Sequence, residues 1–168
     1  PVYSSLNSIN STNNTTQHGE VRAITGYLND SSMYNLKGHT IYTTLEPCVM
    51  CAGLIIMSST QRVVYMQNDI DYSKAFERLA INTKECGGYP TYPRALTPVA
   101  LHTEIADKLN AAYLHFYQSE KENMIARFLS TDEAKQIFKE AKDEFISYQP
   151  KLGSNKQIYE SARHFYVE

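Results

Sequence analysis

TIYTTLEPCVMCAGLIIMSSTQRVVYMQ, residues 40–67, reads as three elements in succession. TIYTTL, residues 40–45, is rich in the β-branched and aromatic residues that suit a half-buried strand. Glu46 and Pro47 then change the conformation. Proline is tolerated at the first helical position, where its missing N–H would have had no partner, so the spacing predicts a helix from Pro47 to about Ser58. RVVYMQ, residues 62–67, is a second strand. Strand, helix and strand within 28 residues predict a parallel βαβ unit, whose crossover is almost always right-handed.

Working outward from this unit, Val21, Ile24 and Leu28 recur at helical spacing, so a helix runs from Gln17 to about Leu28 with His18 and Glu20 in its first turn. Residues 3–17 pass from a short extended start into a Ser-, Thr- and Asn-rich run, read as a loop because these side chains compete for backbone hydrogen bonds. Downstream, DYSKAFERLA predicts a short helix, CGGYPTYPRALTP a loop, and PVALH a short strand. The next helix opens on Thr103 as N-cap and carries Ile105, Leu109, Ala112 and Phe116 on one face. Two more helices are expected near residues 131–147 and 155–165.

The 168 residues, 42% hydrophobic and 20% charged, are enough for a sizeable core. No run of eighteen apolar residues predicts a membrane span, and the polar start is not signal-like, so a cytoplasmic protein is expected. The formal charge of −2 lacks the basic excess that draws nucleic acid by electrostatics alone. In a reducing compartment, cysteines three residues apart point to metal binding or catalysis rather than a structural disulfide.

Cys48 and Cys51 at the start of a helix can aim both sulfurs at one point, where the helix dipole favours the metal-binding thiolate. The best-placed third ligand is His18, thirty residues before Cys48 and at the start of the other helix. Three protein ligands on Zn2+ leave a fourth position open, the arrangement of a catalytic rather than a closed structural site. A Cys-x-x-Cys pair alone would equally suit a redox motif or half of a structural zinc site. Cys86, beside Gly87, reads as a loop thiol.

TLEPCVMCAG, residues 44–53, followed by RVVYM, resembles the cytidine deaminase-like superfamily and, within it, the tRNA adenosine deaminase branch. H18-G19-E20 with P47-C48-V49-M50-C51 matches the H-x-E…P-C-x-x-C pattern of zinc nucleobase deaminases. The resemblance covers about residues 3–118 and implies a three-layer α/β/α fold on a mixed five-stranded sheet. It implies a deaminase domain over residues 1–118, with the family's first helix and central strand missing ahead of Tyr3–Leu6, and a helical extension over 119–168.

The same resemblance implies hydrolytic deamination, with His18, Cys48 and Cys51 on zinc and Glu20 as the catalytic proton shuttle. It places Asn7, eleven residues before His18, against the base; the alternative is a turn-forming asparagine. The segment YPTYPR offers Tyr89 or Tyr92 for stacking on a flipped base and Arg94 for a phosphate, against the alternative of a packed surface loop. Motif resemblance favours adenosine in RNA as substrate. The acidic balance keeps a free base or nucleotide as the alternative, and a non-catalytic zinc-fold subunit as a second one. The expected partners are a nucleobase-containing substrate and either a second copy or a segment supplying the missing elements.

Overall fold

A computed structural model describes residues 1–91, 96–122 and 124–167, excluding the side chains of 165–167. It contains two compact units, residues 5–102 and residues 103–168 with 1–4.

The first unit holds α1 (Ile9–Thr12), α2 (Gly19–Ser31), β1 (Thr40–Leu45), α3 (Val49–Met57), β2 (Arg62–Gln67), α4 (Ala75–Leu79) and β3 (Val99–Ala100). Among the described residues the sheet has three strands, all parallel, in the order β1-β2-β3. Ile41 pairs with Val63, Leu45 with Gln67, and Val64 with Val99. The expected βαβ unit is therefore present, and both of its strands begin and end where their composition places them. The central strand β2 buries Val63 and Val64 on its two faces. By contrast, β1 alternates exposed and half-buried residues, the pattern of a strand with one covered face.

Ile24 of α2, Ala52, Ile55 and Ile56 of α3, Val63 of β2, and Ala75 and Phe76 of α4 form one buried apolar cluster, with Ile41 of β1 packed against it. It fixes α2 and α3 on one face of the sheet, so the positions of their N-termini are set by core packing.

Three expectations shift. Residues 3–6 join no ladder among the described residues; the Leu6 carbonyl instead accepts a hydrogen bond from Arg22 Nη1 at 2.7 Å. The polar loop contains one helical turn, α1, because Asn7 Oδ1 accepts from the Ile9 amide at 3.0 Å and the Ser8 carbonyl accepts from the Thr12 amide at 3.0 Å. The strand in PVALH contracts to Val99–Ala100, with the Leu101 amide adding a last bond to the Tyr65 carbonyl.

The second unit is helical: α5 (Glu104–Ser119), α6 (Ile125–Phe128), α7 (Asp132–Ser147) and α8 (Gly153–Val167). Thr103 and Thr131 cap α5 and α7, each accepting from the third helical amide at 3.2 Å. Ala106, Leu109, Ala112 and Tyr113 are the buried residues of α5, so the covered stripe is centred slightly off the Ile105/Phe116 line. Tyr113 sets it, packing its ring 5.1 Å from that of Phe128. Tyr159 of α8 lies 5.3 Å from the Phe145 ring of α7 and its hydroxyl donates to the Phe145 carbonyl at 3.0 Å. No described helix is long and apolar enough to cross a membrane.

Candidate metal centre

His18 and Cys48 occupy equivalent places: each is the N-cap of its helix, with extended backbone angles (φ −65°, ψ 151° and φ −66°, ψ 172°). Each carbonyl accepts the first helical hydrogen bond, from Arg22 and Ala52 respectively. The helix therefore begins after Cys48 rather than at Pro47. This shift explains how the two sulfurs converge, because Cys48 at the N-cap and Cys51 at the third helical position are the pair whose side chains meet over a helix's first turn. The N-termini of α2 and α3 both face the cluster, and their unpaired amides and dipoles favour negative charge there.

His18 Nδ1 lies 3.7 Å from Cys48 Sγ and 3.5 Å from Cys51 Sγ. One donor atom from each of the three residues lies within 4.8 Å of the others. A tetrahedral zinc with bonds of ~2.0–2.3 Å sets its donors roughly 3.3–3.8 Å apart, so these side chains fit the ion without rearrangement. Cys51 is buried and Cys48 half-buried, leaving the cluster approachable from the Cys48 side.

The two thiols differ electrostatically. A hydrogen bond from the Cys51 thiol, then the amides of Cys51 and Met50 and the nearby His18, lower Cys48 to about 5 against the opposing effect of burial. Cys51 is pushed up by sharing that hydrogen bond, by burial and by the Glu20 carboxylate. In metal-free protein, Cys48 is thus expected to alkylate with iodoacetamide at a rate that is flat above about pH 6 and falls as pH drops through about 5. An ordinary thiol would instead gain reactivity up to ~8.5. Peptide mass spectrometry across pH 4–9 checks this, and a Cys48 rate that still climbs above about pH 8 would contradict the arrangement.

Glu20, in the first turn of α2, is not among the three donors. Its Oε1 accepts from Thr43 Oγ1 at 3.0 Å and its Oε2 faces Cys51 Sγ at 3.7 Å. Glu46, directly before Pro47, is buried, and its two oxygens accept from the Asp69 amide at 3.2 Å and the Lys74 amide at 2.8 Å, tying the turn before α3 to the loop after β2.

Of the other sequence candidates, Asn7 and Tyr89 are described, and neither is among the three donors. A Cβ on Gly19 would sit 3.5 Å from the Asn7 amide nitrogen, so the Asn7 backbone passes beside the start of α2. Its side chain is exposed and its Oδ1 is engaged with the Ile9 amide. Tyr89 is 84% exposed and tied through its backbone to Thr83, with no described contact to the donors. Tyr92 and Arg94 lie outside the described residues. Sequence reasoning missed Thr43 and Glu46, although a threonine on the covered, Ile41 side of β1 was a readable signal.

Residues 2–67 match the cytidine and deoxycytidylate deaminase zinc-binding region. The chain is 43% identical over 68 residues to the tRNA-specific adenosine deaminase of Rickettsia typhi, covering 40% of this chain and 46% of that one. It is also 31% identical over 84 residues to a probable cytosine deaminase of Schizosaccharomyces pombe, covering 46% and 51%. The chain spans about half the length of the curated relatives it matches. Among solved structures, it is similar to a tRNA:A34 deaminase studied for A-to-I editing at the wobble position (25% identity, TM-score 0.47, 60% of this chain and 73% of that one). It is also similar to the guanine deaminase of Nitrosomonas europaea (20% identity, TM-score 0.40, 57% and 55%).

Proposed function

We propose that the protein is a zinc-dependent hydrolytic nucleobase deaminase whose substrate is adenosine in RNA. The observation that carries this reading is the three-donor cluster with Glu20 beside it and outside it. His18 Nδ1, Cys48 Sγ and Cys51 Sγ would hold the ion. When bound, zinc supplies the Lewis acidity that lets water act as a nucleophile near neutral pH.

Glu20 carries the protons. Its carboxylate removes one from the attacking water and delivers it to the ring nitrogen next to the attacked carbon, and then moves the second proton to the departing amine. Water adds at C6, the C–N bond breaks, ammonia leaves and the ring keeps a carbonyl, so the atoms balance without a further reactant. The helix N-termini behind the sulfurs offset the negative charge of two thiolates. A second copy of the chain is the expected partner.

The adenosine assignment is supported by 43% and 41% identity over 68 residues to two tRNA-specific adenosine deaminases. A second reading, a free base such as cytosine or guanine, is supported by the net charge of −2 and by the similarity to a probable cytosine deaminase. An ammonia-release screen over adenosine-containing tRNA, cytidine, cytosine, adenine and guanine separates them. Release from tRNA alone is the expected result. Release from a free base but not tRNA overturns the substrate while keeping the chemistry, and silence from zinc-loaded protein across the panel favours a non-catalytic subunit.

A further inference from the structure

Thr43 stands in the middle of β1, on the same strand face as Ile41, which packs against the apolar cluster beneath α2 and α3. Strand periodicity puts residues 41, 43 and 45 on that side, so a hydroxyl there needs a polar partner to offset its lost hydration. Two acceptors lie within reach: Glu20 Oε1 at 3.0 Å and the Leu45 carbonyl at 3.1 Å. A hydroxyl has one hydrogen, and its bond to an ionised carboxylate is the stronger of the two.

Among the described residues, the side chains that hydrogen-bond Glu20 are Thr43 and Cys51. Cys51 donates only as a thiol, and a metal ligand is a thiolate. Once Cys51 serves as a ligand, the Thr43 hydroxyl is the remaining described side-chain donor to this carboxylate. Fixing Oε1 stops rotation of the carboxylate about its last bond and keeps Oε2 turned toward Cys51 and the donor cluster.

We infer that Thr43 is a positioning residue for Glu20: the strand hydroxyl clamps one oxygen of the proton-carrying carboxylate so that the other faces the reacting centre. The kinetic part rests on the deaminase reading above; the geometric part does not.

The test uses the full chain, zinc-loaded, with Thr43→Val, Thr43→Ser, Glu20→Gln and the Thr43→Val/Glu20→Gln double variant. Valine keeps the β-branched shape that suits a strand and removes only the hydroxyl. With adenosine-containing tRNA as substrate, Thr43→Val is expected to lower kcat by ~10-fold or more, in the range found for residues that orient a functional group from behind. KM and zinc content should stay within about twofold of wild type, and Thr43→Ser should restore most of kcat. In a Glu20→Gln background, Thr43→Val should remove little more, because the residue it positions is already lost. A purely structural role would reduce kcat equally in both backgrounds and would not be rescued selectively by serine, and either result overturns the proposal.

If wild type is silent on every substrate, the functional reading fails, and the urea midpoints of wild type, Thr43→Val, Glu20→Ala and the Thr43→Val/Glu20→Ala double variant decide the geometric claim. Shifts that fail to sum show that Thr43 and Glu20 are coupled. Additive shifts overturn the clamp.

Discussion

Replacing Glu20 by glutamine lowers the rate of ammonia release by at least ~10²-fold while zinc remains bound, because the amide matches the carboxylate in shape but cannot take a proton from water at neutral pH. Glu20 lies outside the donor triad, with Oε2 3.7 Å from Cys51 Sγ, so its loss removes proton transfer and leaves the ligand set intact. The effect should fall on kcat rather than KM. Steady-state kinetics with metal analysis of the same preparation checks it. Undiminished turnover in Glu20→Gln would remove the proposed shuttle, and loss of zinc in that variant would make Glu20 a ligand.

Cys48→Ala combined with Cys51→Ala abolishes stoichiometric zinc binding and destabilises the first unit. Two of three donors disappear, and a lone imidazole does not retain the ion against competing ligands. The loss reaches the fold because Cys51 is fully buried within α3, alongside Ala52 and Ile55, and its neighbour in space is the N-cap of α2. Ligands held at the ends of two different helices couple metal binding to folding. Thermal melts of wild type should therefore rise on adding zinc and fall with a chelator, while the double variant responds to neither. A melt of the double variant that still tracks zinc would place the ion elsewhere.

How far the sequence leads depends on what each residue's neighbours are. Strands β1 and β2 were legible to their end residues because each is a six-residue run of β-branched and aromatic residues stopped by Glu-Pro or by polar residues. The donor triad was legible because two ligands are three residues apart and the third opens a helix whose apolar spacing is visible. The start of α3 was displaced because Pro47 fits either the first helical position or the residue before the cap, and only the extended backbone at Cys48 distinguishes them. The partners of Thr43 and Glu46 lie 23 to 28 residues away, so although the place of Thr43 on the covered side of β1 was readable, what either side chain bonds was not. Nothing in the local pattern announces that Glu46 accepts amides from the loop after β2. Asn7 illustrates the reverse case: its distance from His18 suggested a base contact, while its own short side chain closes a turn onto Ile9.

Zinc-edge X-ray absorption on the purified protein, with the zinc-to-protein ratio measured on the same sample, distinguishes an open three-ligand centre from a closed one. One zinc per chain is expected, surrounded by two sulfurs at ~2.3 Å and two lighter nitrogen or oxygen ligands at ~2.0–2.1 Å, one of them exchangeable with added small ligands. One zinc per two chains with a four-sulfur shell would mean that Cys48 and Cys51 close a structural site between copies, and would contradict an open, catalytic centre built from His18, Cys48 and Cys51.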